Sequence, residues 1–381
     1  MLVQKERVAF ITRVVSRAND LNSRTKQVIL LQTILPLLSR LGWYLIPSRR
    51  RRNLYIKKEA ARLEQSLKSG SLKKAVLVYD HSVSPPSYGD FINVLMIGRF
   101  LVAHQVNVGL ILTDSEFLDN FSRLLDQEEL NEFVEEEKRT AAALVAGIKI
   151  DVCAPQELKR LLNQREIGGQ QIIFGDYVKK KLAIYNLAFD FTKLMLKNSS
   201  SDIKKLTLFS KKSTFVQSSK LPTTRYISCA CRWNEFWGPS RNMSAELFLK
   251  LVKLLRAEFP SHELLFVSDQ KGCEHFRNIA RENHLVCSFS KDYSDSFLGD
   301  ESLVLSSEAY VQIRGGGVGV IPLWSDLPFL FFGRVSSEFS LLSRRTAQLR
   351  NRNQQFIVDF GLPSDRRLKK HLSRLRLEVH S

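Results

Sequence analysis

The chain has 381 residues, of which 44% are hydrophobic, and this is too apolar for an intrinsically disordered protein. Single hydrophobic cores stop growing at about 250–300 residues, so the length predicts two domains. The 57 Lys and Arg against 39 Asp and Glu give a net charge of +18, and the five cysteines, an odd number, argue against a disulfide scaffold and indicate reduced thiols in a cytoplasm.

The excess positive charge lies at the two ends of the chain. Residues 1–75 carry +13 and residues 334–381 carry +7, which leaves residues 76–333 at −2. A nucleic-acid enzyme more often carries basic residues along its substrate groove, so we expect no nucleic-acid partner. Basic ends on a neutral body suit an anionic membrane surface. A solvated helical face is the alternative interpretation.

Residues 1–70 are predicted to form a basic helical N-terminal segment. Segment 28–47 is apolar, but Pro36 and Arg40 argue against a membrane span. An aromatic pair precedes Arg49–Arg52, a pattern typical of a helix that lies at a membrane interface. A helix packed on the protein's own core explains the same pattern. No signal peptide is apparent, so we expect a cytoplasmic protein, peripheral on the inner face of the membrane.

Strands and helices alternate over residues 71–200. Short apolar runs predict buried strands, and segments with helical spacing follow them. The strands are predicted in KKAVLVYDHS, VNVGLILTD, IKIDVCA and QQIIFGD, and the helices at 89–104, 115–147, 154–164 and 177–197. We expect the acidic stretch Glu135–Glu137 to be exposed. The alternation predicts a parallel sheet covered on both faces, here an N-terminal Rossmann-like domain.

Residues 201–222 are rich in Ser and Lys and predict a linker. The alternation then restarts and predicts a second Rossmann-like domain over residues 223–345. Its strands are predicted in TRYISCACRW, HELLFVSD and HLVCSFS, and its helices in SAELFLKLVKLLRAEF, CEHFRNIAREN and SSEAYVQIRG. Residues 346–381 are predicted to be basic C-terminal helices. The fold class is therefore α/β, with two tandem Rossmann-like domains and basic helical ends.

The turn after the first strand, SVSPPSYGDFINVL, holds the candidate catalytic residue Asp90. Ligands of an open parallel sheet bind outside the carboxyl ends of its strands, where this turn lies. A carboxylate at that place can act as a general base on a hydroxyl group. The alternative is that Asp90 caps the helix that starts there.

Three consecutive glycines in IRGGGVGVIPLW form a second candidate site. Gly315, Gly316 and Gly317 let a backbone turn its N–H groups toward a phosphate or diphosphate. A tight turn or hinge without a ligand is the alternative. The glycines do not follow the first strand of their domain, so the pattern is not a dinucleotide-binding fingerprint.

The loop CRWNEFWGPSRNMSAE, after the first strand of the second domain, supplies two more candidates. Arg232 and Arg241 could neutralise a departing diphosphate through forked hydrogen bonds. Aromatic residues of this loop could stack on a base. Ordinary loop packing and salt bridges are the alternative. Ser244, followed by Glu246, is typical of a helix start.

Ser306, Ser307 and Glu308 precede the glycine turn and are candidate donor nucleoside-binding residues. The Glu308 carboxylate could accept hydrogen bonds from ribose hydroxyls, although the same residues equally suit the start of a helix. We expect no metal site. The cysteines and His275 lack zinc-ligand spacing, and we see no Asp-x-Asp pair of the sort that holds a metal on a sugar nucleotide.

The two turns and the order of the elements resemble two-domain GT-B glycosyltransferases. YGDFINVL is similar to the Gly-Asp turn of bacterial ADP-heptose, lipopolysaccharide heptosyltransferase-like, transferases. The stretch from Gly317 through Pro328 to Gly333 is similar to their donor turn, although Val320 stands where they usually carry His. The loop with Arg232 resembles the arginine loop of fucosyltransferase-like enzymes. The match covers residues 74–340 by architecture and about 40 residues by motif.

This resemblance implies a metal-independent, inverting glycosyltransferase of envelope biosynthesis that needs no cofactor besides its nucleotide-sugar donor. The acceptor would be an envelope glycan or a lipid-linked molecule, and Asp90 would serve as or near the catalytic base. A nucleotide-sugar epimerase and a non-catalytic nucleotide-sugar-binding protein on the same fold are the alternatives, because fold alone does not determine function.

Overall fold

The computed structural model of the chain contains two α/β domains, each built on its own sheet. The structure describes residues 47–113, 126–164, 166–182, 184, 187–188, 191–192, 207–209, 220–234, 242–314, 317–334, 354–359 and 363–380. Residues 28–46 of the apolar segment and the candidate residues Arg241, Gly315 and Gly316 lie outside this set, so the predictions about them stay predictions.

The first domain follows a basic helix. Its described elements are α1 (Pro47–Lys68), β1 (Lys74–Tyr79), α2 (Tyr88–Ala103), β2 (Asn107–Thr113), α3 (Gln127–Leu144), β3 (Lys149–Cys153), α4 (Pro155–Asn163), β4 (Glu166–Ile167), β5 (Gln170–Ile172) and α5 (Gly175–Lys179). The sheet order is β3-β2-β1-β5-β4. All its strand pairs are parallel except β4 with β5, so the predicted parallel sheet is confirmed.

The central elements of this domain are apolar because they are covered on both faces. Five of the six residues of β1 are buried, and β1 pairs in parallel with β2 from Lys74 opposite Asn107 to Tyr79 opposite Leu112. Helix α2 is buried along most of its length, since it lies between the sheet and the second domain.

The second domain repeats the plan with six parallel strands. Its described elements are β6 (Tyr226–Ala230), α6 (Ala245–Glu258), β7 (Glu263–Val267), α7 (Gln270–Glu282), β8 (Ser288–Phe289), α8 (Phe297–Ser306), β9 (Tyr310–Ile313), α9 (Val320–Leu323), β10 (Phe329–Arg334), β11 (Gln354–Asp359) and α10 (Asp365–His380). The order β11-β10-β9-β6-β7-β8 is the doubly wound order of Rossmann folds. The predicted fold class is confirmed.

Two elements of the second domain differ from the sequence-based expectation. The segment SSEAYVQIRG, predicted as a helix, contains the end of α8 and the buried strand β9. The C-terminal residues, predicted as helices alone, contribute β11, which pairs in parallel with β10. A short apolar run fits a buried strand and a buried helix equally well, and only its neighbours in the sheet decide between them.

The described helices of the basic ends, α1 and α10, each pack on the body through apolar residues. In α1, Ile56 and Leu63 are buried and Tyr55 stacks on Tyr177, with ring centroids 5.3 Å apart. In α10, Leu368 and Leu372 are buried in the core of the second domain. Among the residues described here, no helix is long and apolar enough to cross a membrane.

One hydrophobic cluster continues across both domains. It joins residues of β1, α2 and β2 to residues of α8, α9 and β10. At its surface Tyr88 stacks on Phe297, with ring centroids 4.2 Å apart and planes within 9°. The described part of the predicted linker also enters this core, because Leu208 and Phe209 are buried. The two domains therefore meet over a packed, apolar interface.

Candidate active site

The turn with Asp90 lies where the sheet of the first domain reverses its strand order. Strands β2 and β5 flank β1, and α2 begins just outside the carboxyl end of β1. Ligands bind at such switch points in open α/β sheets. Ser87 is the N-cap residue, and Asp90 is the third residue of the helix, with its N–H donating to the Ser87 carbonyl oxygen at 3.1 Å. Asp90 is half-buried at this edge.

The N-cap alternative for Asp90 is therefore wrong in its simple form. The residue that precedes the helix is Ser87, whose side chain makes no capping hydrogen bond. A carboxylate in the first turn still interacts favourably with the helix dipole. In this position Asp90 can still serve as a general base. Such a base would act at the carboxyl edge of the first sheet.

A buried polar cluster lies beside this turn, and the sequence analysis did not find it. His81, two residues after β1, is fully buried, and its Nε2 atom lies 2.8 Å from Oε2 of Glu137 on α3. Its Nδ1 atom lies 2.6 Å from the carbonyl oxygen of Thr113. A carbonyl oxygen only accepts, so Nδ1 carries a proton. Glu136 and Glu137 are buried, so the expected exposure of Glu135–Glu137 is wrong for both.

The protonation of this cluster follows from burial and pairing. Burial lowers the pKa of His81, but Glu137, the Thr113 carbonyl group and Asp80 together outweigh burial and raise the pKa above its ordinary value. Burial raises the pKa of Glu137, although His81 acts against the shift. The pair therefore holds its shared proton to a higher pH than the separate side chains would. Because His81 belongs to the loop between β1 and α2, the pair anchors the loop that leads to Asp90.

The second domain has its own switch point, between β6 and β9. Arg232 follows β6, and Arg314 follows β9. Both bind the same residue, since Arg232 Nη1 donates to Asn242 Oδ1 at 2.7 Å and Arg314 Nη1 donates to the Asn242 carbonyl oxygen at 3.1 Å. The predicted residue Arg232 thus lies at the carboxyl edge of the sheet, beside its switch point.

Arg314 is a residue that the sequence analysis missed. It adopts a left-handed conformation with φ of 70°, and its N–H donates to the Phe332 carbonyl oxygen at 2.7 Å. The signal was present in the sequence, because an arginine stands directly before the three glycines. Because residues 306–315 were predicted to be a helix, Arg314 was not expected to follow a strand at the carboxyl edge of the sheet.

The two candidate turns touch each other across the domain interface. A Cβ atom added to Gly89 would lie 3.0 Å from the Cα atom of Gly317, and one added to Gly317 would lie 3.3 Å from the Gly89 backbone nitrogen. Gly317 opens the 3-10 turn Gly317–Gly319 that leads into α9. The turn that carries Asp90 and the turn that follows Arg314 therefore lie against each other at the domain interface.

Further polar and aromatic groups lie at the carboxyl edge of the second sheet. Trp233 stacks on His275 of α7, with ring centroids 3.8 Å apart and planes within 9°. Asp269 follows β7, is exposed, and caps α7 through a hydrogen bond of 2.7 Å from the Gly272 N–H. In doubly wound sheets an acidic residue after the second strand is the one that meets the ribose.

Ser306, Ser307 and Glu308 lie at the opposite edge of the sheet. They precede β9, so they are close to the amino ends of the strands. Ser307 is fully buried, with its hydroxyl oxygen 2.7 Å from that of Ser228. Glu308 accepts from Arg225 Nη2 at 2.9 Å and lies 2.7 Å from His262 Nε2. Hydrogen bonding by Arg225 and His262 holds the pKa of Glu308 below its ordinary value.

This placement separates the three residues from the carboxyl edge, where Arg232 and Arg314 lie. Ser307 and Glu308 have structural partners of their own, and β9 lies between them and Arg314. A nucleoside bound at the carboxyl edge would not meet them. The position of Ser306, Ser307 and Glu308 therefore does not suit them to bind a nucleoside at the carboxyl edge.

No disulfide joins the five cysteines, and four of them are buried. Burial raises the pKa of the Cys287 thiol to about 11 and raises that of Cys231 well above its ordinary value. In the described ranges, no group of three or more His, Cys, Asp or Glu side chains could hold a metal ion.

No protein-family model matches the sequence, and no curated protein matches it either. Among solved structures, the glycosyl transferase family 9 protein from Veillonella parvula matches over 80% of this chain and 97% of its own length. The TM-score is 0.50, and the sequence identity is 9%. The chain has the fold of that glycosyltransferase.

A second solved structure is more remote. The iron-containing dodecameric glycosyltransferase TibC from enterotoxigenic E. coli matches over 68% of this chain and 58% of its own length, with 9% identity and a TM-score of 0.34.

Proposed function

We propose that the protein is a glycosyltransferase that moves a sugar from a nucleotide-sugar donor to an acceptor hydroxyl group. The observation that carries this proposal is the contact between the turns of Gly89 and Gly317, because it places the switch points of both sheets side by side. The two-domain fold, shared with a glycosyl transferase family 9 protein, supports it. In this arrangement the first domain binds the acceptor, and the second domain binds the donor.

The donor diphosphate would lie between the ends of β6 and β9. Arg232 contacts its charge from one side, and Arg314 with the Gly317 turn contacts it from the other. Gly315, Gly316 and Arg241, predicted from the sequence, belong to the same proposed site. Cationic side chains and backbone N–H groups can stabilise a leaving diphosphate without a metal ion. The site would then need no cofactor besides the donor itself.

The nucleoside would extend along the carboxyl edge toward β7. There the exposed carboxylate of Asp269 replaces Glu308 as the proposed partner of the ribose hydroxyls. The stacked rings of Trp233 and His275 provide an aromatic surface at the same edge, on which a nucleotide base can stack.

Asp90 would remove the proton from the acceptor hydroxyl as that oxygen attacks the anomeric carbon. The bond between the sugar and the diphosphate breaks as the new glycosidic bond forms, and the diphosphate leaves with the electron pair. One base and a direct attack invert the configuration at the anomeric carbon. An envelope glycan or lipid-linked acceptor is proposed from the basic ends of the chain, which would hold the protein against an anionic membrane surface on its cytoplasmic side.

An Asp90→Asn variant tests the role of the base. We expect glycosyl transfer to fall by about 100-fold or more, because general base catalysis typically contributes 10²–10⁴-fold, while nucleoside diphosphate affinity stays within about twofold. Asp151→Asn, at a half-exposed carboxylate on β3, is the matched control and should leave both quantities unchanged. Full activity of Asp90→Asn would contradict the proposed mechanism.

A further inference from the structure

The side chain of Asn93 joins the two domains beside the proposed active site. Asn93 lies one turn after Gly89 in α2 and is 1% exposed. Its Nδ2 atom donates to the Gly89 carbonyl oxygen at 2.5 Å, and its Oδ1 atom accepts from Trp324 Nε1 at 3.2 Å. An indole nitrogen only donates, so the amide oxygen must face Trp324 and the amide nitrogen must face Gly89.

Trp324 in turn connects α9 of the second domain to the segment predicted as a linker. Trp324 is fully buried directly after α9, and its backbone N–H donates to the Val320 carbonyl oxygen at 3.1 Å. Its own carbonyl oxygen accepts from the Leu208 N–H at 2.9 Å and from the Phe209 N–H at 3.3 Å. The amide of Asn93 thereby connects the Gly89 turn to α9, and α9 follows the Gly317 turn without interruption.

We propose that Asn93 is a positioning residue that sets the distance between Asp90 and the Gly317 turn. This inference rests on the proposed function. A buried amide is unfavourable unless its polar atoms are hydrogen-bonded, whereas a leucine would fill a similar space without that requirement. One partner of the Asn93 amide is Gly89, and the other is Trp324, which follows α9 and so is joined to the Gly317 turn through that helix. Breaking this link would let α2 shift against α9, and small misplacements of reacting groups reduce kcat steeply.

Two variants test whether Asn93 positions the two turns or only stabilises the fold. Asn93→Leu removes both hydrogen bonds, and Trp324→Phe removes the indole donor while keeping an aromatic ring. Thr192→Val is the matched control, since buried Thr192 donates to the Ala188 carbonyl oxygen at 2.6 Å, four residues back in the chain. We expect kcat to fall by about 10- to 100-fold in Asn93→Leu and Trp324→Phe, with the donor KM within about twofold of the native value.

The double variant and an NMR signal complete the test. Because both single variants break the same link, Asn93→Leu with Trp324→Phe should lose little more kcat than the worse single variant. The indole N–H resonance assigned to Trp324 should shift in Asn93→Leu and stay in place in Thr192→Val. Thr192→Val should keep the native kcat even if its melting temperature falls.

Each outcome has a distinct meaning. A shifted Trp324 resonance with native kcat in Asn93→Leu would overturn the positioning role and leave a structural hydrogen bond. Strictly additive losses of kcat in the double variant would also overturn it. A native chain that neither binds nucleoside diphosphates nor transfers a sugar would refute the proposed function itself, and the positioning role would fall with it.

Discussion

Gly89 and Gly317 belong to different domains, yet their backbones are in contact. A Cβ atom on Gly89 would lie 3.0 Å from the Gly317 Cα atom, which is closer than carbon atoms normally approach. Both partners are main chain, so neither can rotate away as a side chain could. This contact fixes how closely the proposed base-bearing turn and the proposed diphosphate-binding turn approach each other.

Gly89→Ala should therefore force the two turns apart. We expect a loss of about 1–3 kcal/mol in the free energy of unfolding, because the new methyl group meets backbone atoms in a packed interface. Transfer activity should fall together with stability. Gly98→Ala on the same helix is the matched control, since its Cβ atom would lie 3.5 Å from Leu77, an ordinary contact. Urea unfolding of both variants checks the prediction, and equal stabilities would contradict it.

Arg232→Gln should weaken donor binding. Hydrogen bonds to charged groups contribute about 1.5–3 kcal/mol, so the affinity for a nucleoside diphosphate should fall by about 10- to 100-fold. Arg256→Gln is the control, because Arg256 is likewise hydrogen-bonded, to the carbonyl oxygens of His262 and Val286, but lies at the amino edge of the sheet. Titration calorimetry measures both affinities. An unchanged affinity in Arg232→Gln would remove this residue from the proposed site.

The His81–Glu137 pair should make stability depend on pH. The pKa of each group is raised in the folded protein, so the folded state keeps protons that the unfolded state has lost. Stability from such groups is present below the unfolded pKa of His, about 6.5, and is lost as the pH rises through the folded value. The native protein should thus lose stability as the pH rises above about 6.5.

Glu137→Gln should flatten this pH dependence, because burial then lowers the pKa of His81 without an opposing carboxylate. The variant should also be less stable than the native protein by about 1–3 kcal/mol near pH 6, since it weakens a buried hydrogen bond. Urea unfolding at several pH values provides the measurement. An identical slope in both proteins would show that the pair does not hold the proton.

Glu301 of α8 makes a second contribution to the pH dependence of folding stability. Its side chain is 1% exposed, its Oε2 atom has no hydrogen-bond partner among the described residues, and burial raises its pKa to about 8. Ionisation is therefore unfavourable in the folded state, and this carboxyl group destabilises the fold increasingly as the pH rises from about 4.5 through about 8.

A Glu301→Gln variant removes that ionisable group. It should be more stable than the native protein by about 1–4 kcal/mol near pH 9, and the difference should shrink toward pH 5. Thermal unfolding across this range checks the sign. A variant that is less stable than the native protein at high pH would mean that the carboxylate has a partner when it is charged.

The sequence predicted the fold class because its central strands are strongly apolar. Strands β1, β2, β6 and β7 coincide with apolar runs, and Ser244 caps α6 as its position before the amphipathic segment indicated. The misassigned strands β9 and β11 contain polar residues, among them Gln312 and Asp359. Their apolar pattern is therefore weaker, and their identity depends on pairing with distant strands.

The site was predictable only where local sequence carries the chemistry. The turns with Asp90, Arg232 and Gly317 follow strands that were predicted or stand beside runs of glycine. The His81–Glu137 pair joins residues 56 positions apart, and nothing near Glu137 distinguishes it from the surface glutamate Glu135. Glu308 was placed at the wrong edge because the strand after it was predicted to be a helix.

The most direct test of the account is donor binding by the native protein. Thermal unfolding would be followed with a panel of nucleoside diphosphates and nucleotide sugars, with and without EDTA. A ligand at about 100 times its Kd stabilises the native state by about 2.7 kcal/mol, so one nucleoside diphosphate should raise the melting temperature, EDTA should not change the shift, and Arg232→Gln should reduce it. No shift with any nucleotide would contradict the account.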